Sequence, residues 1–251
     1  MSEKGHEDWF ATWFDSPYYH TLYKHRNCDE AELFINKLVA FLKPAPAARF
    51  LDLACGKGRH SVFLNKKGFD VTGVDLSPES IKHASACENE HLHFYVHDMR
   101  KLFRTNYFDY IVNLFTSFGY FEKERDELAT IQSVAKGLKP DGIFVLDFFN
   151  SAKVLKNLKA EDAVTVEGIT FRIRKRVENG FIIKQIDFSD QGRDFHFEEK
   201  VKALSLPDFE KYFAGSGLKI LHLWGSYDLG EFDPGTSDRL IILAKKINTA
   251  A

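Results

Sequence analysis

The chain has 251 residues, 44% of them hydrophobic, which suffices for one large domain or a core domain with an insertion and argues against intrinsic disorder. Its formal net charge of −2 gives no basic excess, which argues against a surface that follows nucleic acid over its whole length. Its three cysteines form no CxxC pair and no apolar run reaches about 18 residues, so we expect a cytoplasmic protein.

Aromatic side chains are concentrated near the start of the chain. Seven of the fifteen residues in 9–23 are Trp, Phe or Tyr, which is too many for a solvated arm, so this segment is expected to pack on the rest of the protein. Two interpretations stay open. The segment is either a helix that caps the core or a lid over a ligand, with tyrosine hydroxyls and Arg26 as its polar tips.

Helical and strand-like segments alternate through the following hundred residues. Apolar residues at helical spacing predict a helix over 28–42, which Pro44 and Pro46 end. Strands that are apolar almost throughout and are separated by helices are typical of a parallel sheet covered on both faces. The predicted strands are 50–54, 69–75, 92–97, 108–114 and 143–149, and the predicted helices are 59–67, a segment from Ser77 onward, and 125–138.

The pattern changes after residue 150. Alternation over 168–177, an Asn179-Gly180 hairpin signal and two further apolar segments predict a three-stranded antiparallel meander. A helix over 206–213 precedes two last strands with no helical pattern between them, which predicts that these strands pair antiparallel. The predicted domains are an N-terminal aromatic lid segment (1–27), a core (28–150 and 206–251) and an inserted antiparallel β subdomain (151–205).

Polar and glycine residues lie where the predicted parallel strands end. Ligands of doubly wound sheets bind beyond these carboxyl ends. Gly56 and Gly58 allow close approach of a ligand to the backbone, or serve only the geometry of the turn. Asp75 is placed to accept hydrogen bonds from both ribose hydroxyls of an adenosine, and Asp98 to face an adenine amino group. The expected ligand-binding residues are Asp52, Ala54, Cys55, Gly56, Gly58, Arg59, His60, Asp75, Leu76, Ser77, His97, Asp98, Met99, Asn113, Leu114, Phe115 and Phe118.

Two classes of nucleoside ligand compete for this site. A nicotinamide cofactor favours a GxGxxG turn, but Ser61 stands where the third glycine belongs. Asp52 would also repel a pyrophosphate, whereas a carboxylate in this turn suits a ligand that carries an amine. S-adenosylmethionine has an amino group, a carboxylate and a sulfonium, and no phosphate, so the residues favour it.

The motifs of the chain resemble those of the class I S-adenosylmethionine-dependent methyltransferases. The sequence LDLACGKG at 51–58 resembles the first motif of this family and VDLS at 74–77 the second. His97-Asp98-Met99 resembles the adenine-contact motif, and 108–112 and 138–142 resemble the fourth strand and the lead-in to the fifth. The resemblance covers about residues 30–150 and 206–246, and it departs from the family at Ala54, where many members have glycine.

The resemblance implies an α/β fold, a doubly wound seven-stranded mostly parallel sheet with an antiparallel last strand. It also implies methyl transfer from S-adenosyl-L-methionine to an N or O atom of a small-molecule acceptor. The inserted meander is similar to that of sugar N-methyltransferases and glycine N-methyltransferase-like enzymes, where it helps to form the acceptor pocket or a dimer contact, so a homodimer through the insertion is one expectation. Tyr18, Tyr23 and Arg26 resemble an N-terminal element that closes over the methionine end of the cofactor.

Methyl transfer from a sulfonium releases a neutral leaving group, so no catalytic triad is expected. The loop 113–121 is either an aromatic wall beside the sulfonium or an ordinary aromatic loop. Tyr120 and His196 are candidate acceptor-side residues, although alternation also places His196 on a solvated strand face. Alternation likewise explains the spacing of His91, His93 and His97, so no metal site is predicted.

The residues also leave rival functions open. An RNA methyltransferase would need a large basic surface, and the overall charge disfavours nucleic acid as a partner. A nicotinamide-dependent oxidoreductase and a non-catalytic nucleoside-binding domain would each use the same glycine turn and Asp75. The face formed by Arg172, Arg174 and Arg176 is interpreted as solvated or as a contact between subunits, with an acidic substrate or RNA as rival occupants. No membrane partner is expected.

Overall fold

The computed structural model describes residues 13–14, 16–24 and 28–247, without the side chains of His20, Cys28 and Asp29. Within this described part, the helices 17–22 and 28–42 precede the first strand. Ser16 caps the first helix, because its hydroxyl oxygen accepts the Tyr18 amide hydrogen at 3.2 Å and Pro17 occupies the first turn. The second helix has the bounds that its apolar spacing predicts. These helices are α1 (Pro17–Leu22) and α2 (Cys28–Leu42).

The core of the molecule is a seven-stranded sheet with the order β10-β11-β5-β4-β1-β2-β3. Neighbouring strands are parallel except for β11, which runs antiparallel to both β5 and β10. This confirms the predicted fold class, including the antiparallel last strand. The strands are β1 (Arg49–Leu53), β2 (Asp70–Asp75), β3 (Leu92–Val96), β4 (Phe108–Asn113), β5 (Leu138–Phe149), β10 (Leu218–Trp224) and β11 (Arg239–Lys246).

Helices cover both faces of this sheet. On one face Phe34, Leu64 and Ile81 pack with the buried residues of the strands. On the other face Ile131 and Phe209 do the same. Because helices cover both faces of the sheet, its strands are apolar almost throughout. The helices are α3 (Arg59–Lys66), α4 (Pro78–Ala84), α5 (Glu124–Gly137) and α7 (Leu206–Ala214) in addition to α2.

The fifth strand begins five residues earlier than predicted. Leu138 already pairs with Phe108, and a register irregularity separates this pair from Tyr110 and Ile143. The helix before it, α5, consequently ends at Gly137. The apolar pattern resumes only at Ile143, which is why the sequence does not reveal the first part of β5.

A second sheet lies between the two halves of the core sequence, and it has four antiparallel strands in the order β6-β7-β8-β9. The prediction of three strands is wrong, because it omits β6. Five of the six residues of β6 are exposed, so the strand has no apolar alternation. The prediction also omits a short helix, α6 (Ser151–Lys156). The strands are β6 (Glu161–Val166), β7 (Ile169–Glu178), β8 (Phe181–Asp190) and β9 (Arg193–Lys202).

The described part of the aromatic N-terminal segment packs on the four-stranded sheet. Trp13 and Leu22 are buried in one cluster with Phe171 and Phe188, and this cluster is separate from those of the core. The ring of Tyr18 lies 4.7 Å from that of Phe188. The segment therefore caps the insertion rather than the seven-stranded core. The division of the chain into three domains stays a prediction.

Candidate functional site

A tight turn follows β1, and its backbone explains the two glycines. Gly56 and Gly58 have φ angles of +54° and +81°, which glycine adopts without steric cost. A Cβ on Gly58 would lie 2.7 Å from the ring of Phe94, whereas a Cβ on Gly56 would meet no atom within 4 Å. Ala54 adopts a φ angle of +62° and so holds a left-handed conformation with a side chain. The turn is thus packed at Gly58 and open above Gly56.

The carboxylate of Asp75 is fixed at the end of β2 by two backbone amides. One of its oxygens accepts the amide hydrogen of Gly56 at 2.8 Å, and the other accepts that of Ser77 at 2.8 Å. Ser77 in turn caps α4 by accepting the amide hydrogen of Ser80. Asp75 therefore joins the turns after β1 and β2, and its side chain is held in one position.

Two buried ionisable residues flank this turn, Asp52 in β1 and His60 in α3. Asp52 is 1% exposed and accepts a hydrogen bond of 2.6 Å from the Ser61 hydroxyl. Burial, opposed by that bond and helped by the charge of Asp75, raises the pKa of Asp52 to about 6. Burial and the nearby charge of Arg59 lower the pKa of His60 to about 3. The sequence places Asp52 towards a cationic ligand, but in the structure its carboxylate lies inside the protein.

A cavity of about 200 Å³ lies above the carboxyl ends of β1, β2 and β3, where the doubly wound fold predicts a ligand. Its lining combines carboxylates, backbone and aromatic faces. Burial acts to raise the pKa of the partly buried Asp98. Arg100 donates hydrogen bonds to both of its carboxylate oxygens, and these bonds outweigh burial and lower that pKa. The predicted site residues in the lining are Ala54, Gly56, Asp75, Leu76, Ser77, His97, Asp98, Met99, Phe115 and Tyr120.

Other predicted residues lie outside the lining. Tyr18 donates its hydroxyl to Asp190, and Tyr23 donates to Glu199, so both tips point to the four-stranded sheet. Arg26 lies outside the described residues. Arg59 is half-buried and does not line the cavity, and its guanidinium lies 4.4 Å from the centre of the Phe115 ring. The residues buried behind the wall of the cavity are Asp52, Cys55, Gly58, His60, Asn113, Leu114 and Phe118.

The structure adds lining residues that the sequence did not single out. Phe14 and Tyr19 come from the aromatic segment, so that segment reaches the cavity through different residues from those expected. Periodicity on a helix of six residues does not say which face meets the ligand. Thr116, Ser117 and Phe121 also line the cavity, and they belong to the loop 113–121 that the sequence analysis considers as a wall beside the sulfonium. The other added residues are Lys57, Ser80 and Arg100.

A second chamber, of about 690 Å³, adjoins the first cavity. Its walls come from α1, α6, the strands β6–β9 and the start of β11. The hydroxyl of Tyr120 donates to the carbonyl of Thr116 at 2.6 Å, at the junction of the two spaces. Five residues line both spaces, and these are Phe14, Tyr19, Phe115, Thr116 and Tyr120.

The remaining candidates of the insertion lie on its exposed face. His196 is 60% exposed and lies 2.5 Å from Asp187, away from both cavities. Arg174 pairs with Asp187 at 2.8 Å, and Arg176 with Glu198 at 3.3 Å. Within the described residues no group of three or more His, Cys, Asp or Glu side chains is arranged to hold a metal ion.

Comparison with known proteins places this geometry in a family. Residues 50–142 match the model of a methyltransferase domain. A putative methyltransferase of Bacillus subtilis is 39% identical over 111 residues, a match that spans 42% of this chain and 44% of that relative. A dTDP-3-amino-3,4,6-trideoxy-alpha-D-glucopyranose N,N-dimethyltransferase of Streptomyces venezuelae is 27% identical over 193 residues, which cover 71% of this chain and 78% of the relative.

The fold agrees with these sequence matches. The crystal structure of an S-adenosylmethionine-dependent methyltransferase from Clostridium acetobutylicum superimposes with a TM-score of 0.79 at 22% identity, over 92% of this chain and 97% of that one. Residues 50–142 are thus a methyltransferase domain, and the chain has the fold of S-adenosylmethionine-dependent methyltransferases. The methyl donor of this family is S-adenosylmethionine.

The family resemblance read from the sequence is confirmed, and so is the donor that it implies. The two adjoining spaces are consistent with a methyltransferase, because the reaction brings a donor and an acceptor together. Among the described residues, no helix combines the length and the apolar character that crossing a membrane requires.

Proposed function

We propose that this protein transfers a methyl group from S-adenosylmethionine to an amine nitrogen of a small-molecule acceptor. The observation that carries the proposal is the pair of adjoining spaces, one of them above the carboxyl ends of the strands with the fixed carboxylate of Asp75. The choice of nitrogen rests on the Streptomyces venezuelae relative, which is an N,N-dimethyltransferase of an amino sugar. The match to the Bacillus subtilis relative covers less than half of that protein, so the activity of the whole chain is part of this proposal.

The first cavity has the chemistry that the donor needs. Asp75 would bind the ribose hydroxyls, and the open space above Gly56 leaves room for the donor beside the backbone. Asp98 and Met99 would contact the adenine. When bound, S-adenosylmethionine supplies a methyl group on a sulfonium, whose positive charge the faces of aromatic residues such as Phe115 would stabilise. Roles for the predicted residues behind the wall, and for Tyr18, Tyr23 and Arg26, stay predictions.

The second chamber would hold the acceptor. A neutral amine attacks the methyl directly, so the residues must orient the nitrogen and exclude water rather than break a strong bond. Tyr120 lies at the junction of the two spaces, and its phenol oxygen can accept a hydrogen bond from an amine N–H. His196 lies on the exposed face and is left out of the proposed acceptor site.

The contacts of the four-stranded sheet also bear on the partners proposed for the chain. Arg174 and Arg176 form ion pairs within their own sheet, which supports a solvated face and leaves nucleic acid outside the proposal. A homodimer through the four-stranded sheet and a cytoplasmic location remain proposals, the second resting on the cysteine usage of the chain.

Titration calorimetry with S-adenosylmethionine tests the first half of the proposal. The wild type should bind it, and Asp75→Ala should weaken binding by about tenfold or more, because a hydrogen bond to a charged group contributes about 1.5–3 kcal/mol. Asp70→Ala is the matched control, since Asp70 begins the same strand at its opposite end. Binding of NADH without binding of S-adenosylmethionine would overturn the proposal.

A metabolite panel tests the second half. Release of S-adenosylhomocysteine should depend on small molecules that carry an amine and should be absent with the matching alcohols. Turnover with alcohols alone would show that oxygen, not nitrogen, is the acceptor atom.

A further inference from the structure

The wall between the two spaces is a strained turn. Phe115 and Thr116 have φ angles of +58° and +62°, so two successive residues with side chains adopt the left-handed conformation. Each such residue costs about 1–2 kcal/mol relative to the right-handed conformation. Both residues line both spaces. The surrounding protein must therefore hold this turn in place.

One residue, Asp147, holds the backbone of both left-handed residues. Asp147 lies in β5 and is fully buried. Its side chain accepts the amide hydrogen of Phe115 at 2.8 Å, and its backbone carbonyl accepts that of Thr116 at 3.0 Å. Asp147 itself lines neither space. It thus fixes the backbone of both left-handed residues from behind.

Two further side chains connect Asp147 to the side chains of the turn. The Nε of Arg239 donates to Asp147 at 2.7 Å while its Nη2 donates to the Thr116 hydroxyl at 2.8 Å. The hydroxyl of Tyr227 donates to Asp147 at 3.1 Å, and its ring stacks on that of Phe115 with centroids 5.0 Å apart. Each residue of the turn is therefore held at both its backbone and its side chain.

We propose that Asp147 is a positioning residue for methyl transfer, which sets the place where donor and acceptor meet by holding Phe115 and Thr116 in the left-handed conformation. The proposal rests on the proposed function, because it concerns the geometry between the two ligands. A displacement of about 1 Å between reacting groups costs on the order of 10²-fold in rate. Loss of the network therefore affects the rate of transfer more than the binding of either ligand.

The test compares Asp147→Asn with a matched control. Glu127→Gln removes an equally buried carboxylate whose cation, Lys202, is as well covered as Arg239, with side-chain exposures of 14% and 13%. Neither Glu127 nor Lys202 lines either space. Asp147→Asn should lower kcat by about 10²-fold with less than about a threefold change in the Kd of S-adenosylmethionine. Glu127→Gln should lower stability and leave kcat within about threefold of the wild type.

Hydrogen exchange supplies a readout that does not need the acceptor. The amide of Phe115, which donates to the carboxylate itself, should exchange at least about tenfold faster in Asp147→Asn than in the wild type, and Glu127→Gln should leave it unchanged. An unchanged kcat in folded Asp147→Asn, or an equal loss in both variants, overturns the proposal. If the wild type neither binds S-adenosylmethionine nor transfers a methyl group, the proposed function fails, and the exchange rates still decide whether Asp147 holds the turn.

Tyr227→Phe covers the case in which Asp147→Asn does not fold. It removes one hydrogen bond to the carboxylate and keeps the pair with Arg239 and the stacked ring. We expect smaller effects than in Asp147→Asn, because one hydrogen bond contributes about 1 kcal/mol. The value of kcat should fall by about threefold to tenfold, and the Phe115 amide should exchange faster than in the wild type. Unchanged kcat and unchanged exchange in this variant overturn the proposal.

Discussion

Asp52 and His60 are two buried ionisable residues behind the turn that follows β1, and burial shifts their pKa values in opposite directions. The pKa of Asp52 rises to about 6, so the folded protein keeps a proton there that the unfolded chain, with a pKa of about 3.9, has lost. The pKa of His60 falls to about 3, so the unfolded chain, with a pKa of about 6.5, holds a proton there that the folded protein lacks.

These two shifts predict opposing pH dependences of stability. Between about pH 4 and 6, Asp52 makes the free energy of unfolding fall as the pH rises, whereas His60 makes it rise, each by about 1.4 kcal/mol per pH unit. Relative to the wild type, Asp52→Asn should therefore gain stability with rising pH, and His60→Gln should lose it. Urea unfolding at pH 4, 5 and 6 measures both slopes, and two slopes of the same sign would contradict the assignment.

The two glycines of the same turn predict different consequences of adding a methyl group. Gly58→Ala combines backbone strain with a clash against Phe94, so we expect a loss of about 2–4 kcal/mol of stability. Gly56→Ala adds strain alone, about 1 kcal/mol, but its methyl enters the first cavity and should weaken S-adenosylmethionine binding about tenfold. Urea unfolding and calorimetry on both variants check this. Equal effects on stability would show that the ring of Phe94 moves to make room for the added methyl group.

At the scale of elements, a largely buried carboxylate, that of Glu199, fastens the N-terminal segment to the four-stranded sheet. Glu199 of β9 accepts hydrogen bonds from the Trp13 indole at 2.6 Å and the Tyr23 hydroxyl at 2.7 Å. Lys184 of β8 lies 3.5 Å from the same carboxylate, and both side chains of the pair are largely buried. The contact joins α1 and its flanks to two strands of the insertion.

Glu199→Gln should therefore destabilise the segment strongly. It leaves Lys184 covered without its counter-charge, which costs about 3 kcal/mol for buried pairs. Lys24→Ala is the control, since it breaks an exposed ion pair with Glu167 between the same two parts and should cost less than about 1 kcal/mol. Chemical unfolding followed by tryptophan fluorescence measures both, and similar losses would contradict the role given to burial.

The elements also show what the sequence could predict. The core strands and helices agree with the sequence pattern to within a few residues because they are buried on known faces, which gives them clear apolar periods. The exposed β6 has no such period. Tyr227 and Arg239 reach the Phe115 turn only through tertiary contacts from distant parts of the chain, and no local pattern encodes them. Likewise, local sequence places Asp52 beside the turn but does not show that its carboxylate is buried inside the protein.

At the scale of the whole molecule, the part of the chain that the structure describes has three clusters of buried residues, and these predict which regions a mutation destabilises. Two clusters cover the faces of the seven-stranded sheet, and the third lies between the N-terminal segment and the four-stranded sheet. Trp13 belongs to the third cluster and Phe213 to the first, and each is 1% exposed. The clusters share no buried residue, so we expect them to respond separately to the loss of a large side chain.

Trp13→Ala and Phe213→Ala test this separation. Each should cost about 3–5 kcal/mol at the site of the lost ring. Trp13→Ala should raise the rates of amide hydrogen exchange in β7 and β8 and leave those in β4 and β5 unchanged. Phe213→Ala should raise these rates in the seven-stranded sheet. Exchange that rises in both sheets in both variants would show that the molecule unfolds as one unit.

Phe14 and Tyr19 line both spaces, and both belong to the segment that is fastened to the four-stranded sheet. Any motion that lifts this segment opens the proposed donor cavity and the proposed acceptor chamber together. Replacement of S-adenosylhomocysteine by a new S-adenosylmethionine then also releases the acceptor. An acceptor that takes up two methyl groups must in that case rebind between them, so the singly methylated product accumulates in solution before the doubly methylated one.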